Sequence, residues 1–311
     1  MSEINIVKRS GSKEPLDLEK LHKVIFYACD DITGVSPSQV ELNSHISFYD
    51  GITTSEIQET MIKAAADLIS EETPNYQLVA GRLISYHLRK EAYGQFDVPH
   101  LYEIVKTNIA NKMYDKSLTS WYSKEEFKQM NKWIDHKRDE NYTYAAMEQF
   151  RGKYLVQDRY TGKIYETPQI ALMLIGATLF HRYPREERLS WVKEFYDSVS
   201  RFEISLPTPV MAGVRTAIRQ FSSCVLIESG DSLDSINATA GAIVKYVSKR
   251  AGIGIGAGGI RAHGSTINGG HATHTGVIPF YKHFQSAVRS CSQGGVRGGA
   301  ATLYYPIFHL E

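Results

Sequence analysis

Apolar and polar residues alternate along Ile4-Asn5-Ile6-Val7-Lys8, the period-two pattern of a half-buried strand. Turn formers Ser10-Gly11-Ser12 follow and Lys13 to Leu16 return, so residues 4–16 read as a β-hairpin. Asp17 then stands where a helix N-cap acceptor belongs, ahead of Leu21, Val24, Ile25 and Ala28 at helical spacing. A second helix is expected from Thr54-Ser55, with Ser55 and Gln58 at capping-box spacing and a stripe of Ile57, Met61, Ala64, Ala65 and Leu68. A third runs from about Tyr76 to Glu91, with Val79, Ala80, Leu83, Ile84 and His87 on one face. Tyr93-Gly94 and Asp97-Val98-Pro99 read as a boundary, so residues 1–95 form an α+β unit with its own core.

Residues 96–203 are helical in pattern, aromatic and charged. Lys124-Glu125-Glu126-Phe127-Lys128 reads as a solvated face, Lys153 to Val156 pairs with Ile164 to Glu166 as a hairpin, and Ile170 to Phe180 reads as a buried segment. The texture changes over residues 204–311. Thirteen of the 24 glycines lie between Gly252 and Gly299, and short apolar stretches such as Ser222 to Ile227 alternate with glycine-rich loops. That alternation predicts the strand–loop–helix units of an α/β sheet or barrel, with Asp231 to Ser235 as the N-cap region of a helix through Val247.

Composition adds limits. No run of about 18 apolar residues exists and the N-terminus lacks an apolar signal core, which predicts a cytoplasmic protein without membrane association. Cys29, Cys224 and Cys291 are too few and too dispersed for a disulfide scaffold or a zinc site, so no metal is expected. The net charge of +1 conceals an asymmetry: between Ser235 and Leu310 there are seven basic residues and no acid, a pattern that suits anions such as phosphates as well as a plain basic face.

Four features carry candidate chemistry. Gly254-Ile255-Gly256-Ala257-Gly258-Gly259 fits a dinucleotide fingerprint, yet no acid follows at the distance that would hold a ribose, and the residues before it are not a hydrophobic strand. Ser290 to Gly299 sets two glycine pairs around Arg297, a loop able to wrap a nucleotide or simply to turn at the surface. Cys224, within Phe221-Ser222-Ser223-Cys224-Val225, fits an inert core residue or a redox thiol. Lys8, Arg9, Glu14, Lys20, Thr54, His87 and Lys90 could cradle a triphosphate, or be scattered surface charge.

The order of these segments resembles the large subunit of aerobic class I ribonucleotide reductase, of the bacterial and T4-like phage kind, along the whole chain. Val7-Lys8-Arg9-Ser10-Gly11, Leu18-Glu19-Lys20-Leu21, Phe48 to Ile52, Ile62 to Ile69 and Tyr86-His87-Leu88-Arg89-Lys90 resemble an ATP-cone. Ile204 to Pro209, Arg219 to Cys224, Gly230-Asp231-Ser232-Leu233 and Ser292 to Thr302 resemble the region that follows. The resemblance implies an ATP-cone at 1–95 built of a β-hairpin and a helix bundle, a helical region at 96–203, and at 204–311 the first, incomplete part of a ten-stranded α/β barrel.

It also implies roles. Lys8, Glu14, Pro15, Leu16, Asp17, Leu18, Glu19, Lys20, Thr54 and Lys90 match an allosteric ATP/dATP site. Asp231, Ser232 and Leu233 would hold an effector nucleoside, with Arg261 and Asn268 at its phosphates, and Gln293, Gly294, Gly295, Val296 and Arg297 would form the loop that reports the effector to the substrate. Thr208 and Ser223 match substrate contacts, and Cys224 one of two thiols that reduce the ribose. Implied partners are a small subunit carrying the radical cofactor, thioredoxin or glutaredoxin, a second large subunit, and no nucleic acid. Gln58 replaces a histidine common in the cone and Asn268 a second phosphate-binding arginine, so weaker dATP inhibition and weaker effector binding are expected. The family's radical cysteine and second redox thiol lie further along than Glu311, so a split subunit completed by a C-terminal half is expected, or else a truncation. The competing function is a nucleotide-binding regulatory module without catalysis.

Overall fold

The computed structural model describes residues 4–45, 47–293 and 297–311. They divide into two compact units, Met1–Ile204 and Ser205–Glu311. In the first, β1 (Asn5–Val7) pairs antiparallel with β2 (Lys13–Pro15), Ile6 opposite Glu14, and the turn between them places Gly11 at φ +85°. A further strand, β3 (Ile52–Thr53), runs parallel along the other side of β1. Asp17 caps α1 (Leu18–Cys29), accepting from the backbone N–H groups of Glu19 and Lys20. Around it pack α2 (Pro37–His45), α3 (Thr54–Asp67) and α4 (Tyr76–Tyr93), burying Ile25, Val40, Met61, Ala65, Val79, Leu83 and Ile84 completely.

The start of α3 corrects the expected cap. Thr53, not Ser55, is the N-cap: its hydroxyl accepts from Glu56 N–H while the Glu56 carboxylate accepts from Thr53 N–H. Gln58, the expected partner of Ser55, is buried and so unavailable to an exposed cap.

The helical part of the same unit comprises α5 (Leu101–Ala110), α6 (Leu118–Trp121), α7 (Lys124–Trp133), α8 (Tyr144–Gln149), α9 (Pro168–Leu179) and α10 (Arg188–Ser200). As expected, α9 is buried on nearly every side. The hairpin expected at 153–166 is reduced to one bridge, Gln157 to Ile164, because Phe150–Tyr154 wind into a π-helical turn. Glu126 is no solvated charge either: it closes the capping box of α7 and receives Arg188 at 2.5 Å. Helix α4 meets this region at Gly81, where a Cβ would lie 2.1 Å from the Tyr142 carbonyl oxygen.

In the second unit α11 (Thr208–Gly213) precedes β4 (Cys224–Glu228), α12 (Leu233–Ser248) and β5 (Gly252–Gly256). A small hairpin of β6 (Thr266–Ile267) and β7 (Ala272–Thr273) leads to α13 (Ile278–Arg289). Then come β8 (Ser292–Gln293), its antiparallel partner β9 (Arg297–Gly298), and β10 (Ala301–Tyr304). Strands β10, β5 and β4 form a wholly parallel sheet in that order, with β5 central. Ile253 and Ile255 of β5 join Ile243, Val247, Phe284 and Val288 in one core under α12 and α13. Among the described residues the sheet is open, with three strands and no closed barrel. Among the described residues no helix is long and apolar enough to cross a membrane.

Candidate functional site

In the first unit the β1–β2 hairpin, α1, α3 and the end of α4 enclose a cavity of about 270 Å3. Its wall carries Lys8, Arg9, Lys20, Lys23 and Lys90 beside a floor of Ile6, Leu16, Leu21, Val24 and Ile57. Cations over an apolar floor suit a ligand with an anionic tail and a flat apolar body. Lys8 Nζ lies 2.7 Å from Glu14 Oε1, while Lys20 Nζ reaches Asp17 Oδ2 at 3.3 Å and Glu14 at 3.9 Å. The hydrogen bond from Lys20 and those from the α1 backbone hold the Asp17 carboxyl below its ordinary range. Lys90 Nζ sits 4.5 Å from the Tyr86 ring centre, its ammonium over the ring face.

Of the residues expected here, Lys8, Glu14, Leu16, Asp17, Lys20, Thr54 and Lys90 line the cavity. Pro15, Leu18 and Glu19 do not: Pro15 is exposed on β2, and Leu18 and Glu19 line a separate depression with His22 and Glu41. Leu21, Val24 and Ile57 read as core positions in the sequence because an apolar cavity wall carries the same helical spacing as a core. Gln58 is buried on the wall, and its Oε1 has no hydrogen-bond partner among the described residues.

Beneath the wall lies His87, fully buried. Arg9 Nη2 approaches its Nδ1 at 3.4 Å, while Nε2 lies 3.3 Å from Glu59 Oε1 and 3.2 Å from Glu91 Oε1, aligned for a hydrogen bond to neither. Burial opposes charge on this ring, but the two carboxylates outweigh it and raise the His87 pKa above its ordinary value.

In the second unit Asp231 clasps Arg261 through the Arg261 backbone N–H at 3.0 Å and Nε at 2.6 Å; Arg261 Nη1 also donates to the Thr266 carbonyl. Burial works against the Asp231 charge, and the hydrogen bonds from Arg261 prevail, keeping its pKa low. Ser232 caps α12 by accepting from Ser235 N–H, Leu233 is exposed, and Asn268 follows β6 at φ +51°. Gly294, Gly295 and Val296 of the expected loop lie outside the described residues; Gln293 and Arg297 are backbone register partners in the β8–β9 pair.

Cys224, Leu226 and Glu228 project from β4 on the side away from the helices, opposite Gly252, Gly254 and Gly256 of β5. Cys224 is exposed, which removes the inert-core reading, and all three cysteines are free thiols. Ser223 Oγ stands 4.0 Å from Cys224 Sγ, and Thr208 is the first residue of α11. The glycine run 254–259 is half strand, ending in a turn rather than opening a helix, so it has no dinucleotide-binding geometry. Among the described residues no group of three His, Cys, Asp or Glu is placed to hold a metal ion.

Three family models match the chain in succession: an ATP cone domain at residues 4–91, the all-alpha domain of ribonucleotide reductase at 140–219, and its barrel domain at 222–311. Ribonucleoside-diphosphate reductase 1 subunit alpha of Escherichia coli is 64% identical over 306 residues, 98% of this chain and 40% of that protein. The subunit alpha of Haemophilus influenzae is 63% identical over the same shares. That of enterobacteria phage T4 is 52% identical over 313 residues, 100% of this chain and 41% of that protein. The chain thus spans about 40% of the length of these relatives.

Proposed function

This chain belongs to the family of ribonucleotide reductase large subunits, and on that premise we propose that its cone cavity is an allosteric ATP/dATP site governing the reduction of ribonucleoside diphosphates. The single observation that carries the reading is the cavity itself: seven of the ten residues implied by resemblance converge on one basic wall over an apolar floor. Lys8, Lys20 and Lys90 would hold the phosphates, and the floor of Leu16, Leu21, Val24 and Ile57 would receive the base. Removing one charge-assisted contact costs about 1.5–3 kcal/mol, so Lys8→Ala should weaken ATP binding roughly tenfold or more in calorimetric titration of the full chain. Unchanged affinity would refute the assignment.

Catalysis would fall to the open sheet face. Cys224 and a second thiol together would supply two hydrogens and two electrons: two S–H bonds and the ribose C2′–O bond break, while one S–S bond, one C2′–H bond and the second O–H bond of the departing water form. Thioredoxin or glutaredoxin would then return the disulfide to thiols. Ser223 beside Cys224 and Thr208 at the α11 N-terminus would contact the substrate. Asp231, Ser232, Leu233, Arg261 and Asn268 would bind the effector that selects the base, with Gln293 to Arg297 relaying its identity. Phosphates reaching Arg261 must compete with Asp231, which holds it here. A second large subunit and a radical-bearing small subunit are the proposed partners. In the assembled reductase Cys224→Ser should abolish multiple-turnover reduction; a chain that serves only as a nucleotide sensor would tolerate the change.

A further inference from the structure

His87 is buried between a cation that reaches the cavity and two carboxylates that do not. A guanidinium only donates, so the Arg9 contact requires an unprotonated Nδ1 and opposes the ring charge that Glu59 and Glu91 favour. Glu59, one of the carboxylates facing Nε2, is also held through the same Oε1 by Arg151 Nη1 at 2.5 Å. Arg151 lies outside the cone, in the π-helical turn after α8, and its Nη2 grips Glu148 at 2.8 Å. A run of close polar contacts thus extends from the cavity wall through Arg9, His87 and Glu59 to Arg151 and Glu148.

We propose that this chain is a relay coupling phosphate occupancy of the cone cavity to the helical region, with Glu59 as the group shared between two cations. The proposal rests on the reading of the cavity as a nucleotide site. Polyphosphate oxygens compete for Arg9 far better than a neutral ring nitrogen does. Nδ1, once released, takes a proton that Glu59 from α3 and Glu91 from α4 stabilise. The resulting imidazolium draws Glu59 and loosens its hold on Arg151. The charged groups facing the ring are therefore Arg9 from the hairpin turn, Glu59 from α3 and Glu91 from its own helix, with Arg151 and Glu148 behind Glu59.

Coupling is reciprocal, so a change at Arg151 must alter affinity in a cavity it does not line. Calorimetric titration of the full chain with ATP tests this through opposed signs. Arg151→Gln frees Glu59 for His87 and should tighten ATP roughly fivefold, near the low end of allosteric coupling. Glu148→Gln leaves Arg151 to Glu59 alone and should weaken ATP by a similar factor. In a His87→Gln background both effects should vanish to within about twofold. Shifts of the same sign, no shift, or effects that persist without His87 overturn the relay. Should Arg151→Gln or His87→Gln fail to fold, Glu148→Gln decides by its sign. Lys8→Ala separates the two levels: if it weakens ATP while the other variants do nothing, only the relay fails. If the wild-type chain binds no ATP, the cavity reading and the relay fall together.

Discussion

Asp139 is fully buried; its Oδ1 accepts from Gln169 at 2.8 Å while Oδ2 has no hydrogen-bond partner among the described residues. Burial pushes its pKa up to about 7, and burial together with Arg89 pushes neighbouring His136 down to about 4. The folded value of Asp139 exceeds the ordinary 3.8, so between about pH 4 and 7 the folded chain binds more protons than the unfolded one. Its contribution to stability is present below that window and lost as pH rises through it. Asp139→Asn should therefore raise the melting temperature relative to wild type at pH 8 and lose that advantage by pH 5. A difference independent of pH in thermal melts would show that Asp139 is not protonated in the folded state. Nothing in His136-Lys137-Arg138-Asp139-Glu140 marks Asp139 as the inward charge, because a 3-10 turn packed against α4 and α9 makes that choice. Lys8, Lys20 and Lys90 read from the residues alone as a phosphate cradle or as scattered charge, and only resemblance favoured the first, since isolated lysines look like any solvated surface.

At the scale of the element, Thr53–Glu56 and Ser55–Gln58 both have capping-box spacing, and only burial of Gln58 decides between them. Thr53→Ala should cost about 1 kcal/mol in urea unfolding, whereas Ser55→Ala should cost a few tenths at most; the reverse order would restore the sequence-based cap. Strand β3 is two residues long and has no periodicity to read, because only its pairing with β1 makes it a strand. The helices with long apolar stripes, by contrast, were read directly. Gly81 looks like a weak point in such a stripe, yet it lets α4 approach the backbone at Tyr142. Gly81→Ala should destabilise the first unit by about 1–3 kcal/mol or more, as overpacking against immobile backbone does. An unchanged urea midpoint would show that the two segments part without cost.

For the molecule as a whole, the division at Ile204 separates the cone cavity from the thiol face. The cone and the helical region share one unit, so a ligand of the cone should stabilise both together. At a hundredfold excess over its Kd, a ligand adds about 2.7 kcal/mol to the state it binds. Calorimetric melting of the chain with ATP should thus move the transition of residues 1–204 upward and leave that of the sheet unit in place. A shift in both would mean that they unfold as one. The sequence carried the change of texture near residue 204 plainly, since glycine-rich alternation replaces aromatic helices. It did not carry the openness of the sheet face, because period-two apolar residues describe a buried strand and a half-bare one equally.

The glycines of β5 give that face a graded depth. A Cβ at Gly252 would meet Cys224 Sγ no closer than 3.7 Å, an ordinary contact. At Gly254 it would meet Leu226 at 2.5 Å, and at Gly256 the Glu228 carboxylate at 1.9 Å. The trough is thus open at the thiol end and filled by its neighbours toward the other. A flat reagent laid along the strand can settle beside Cys224 and is turned away two residues further on, so reach along this surface is rationed by what the flanking strand leans across it.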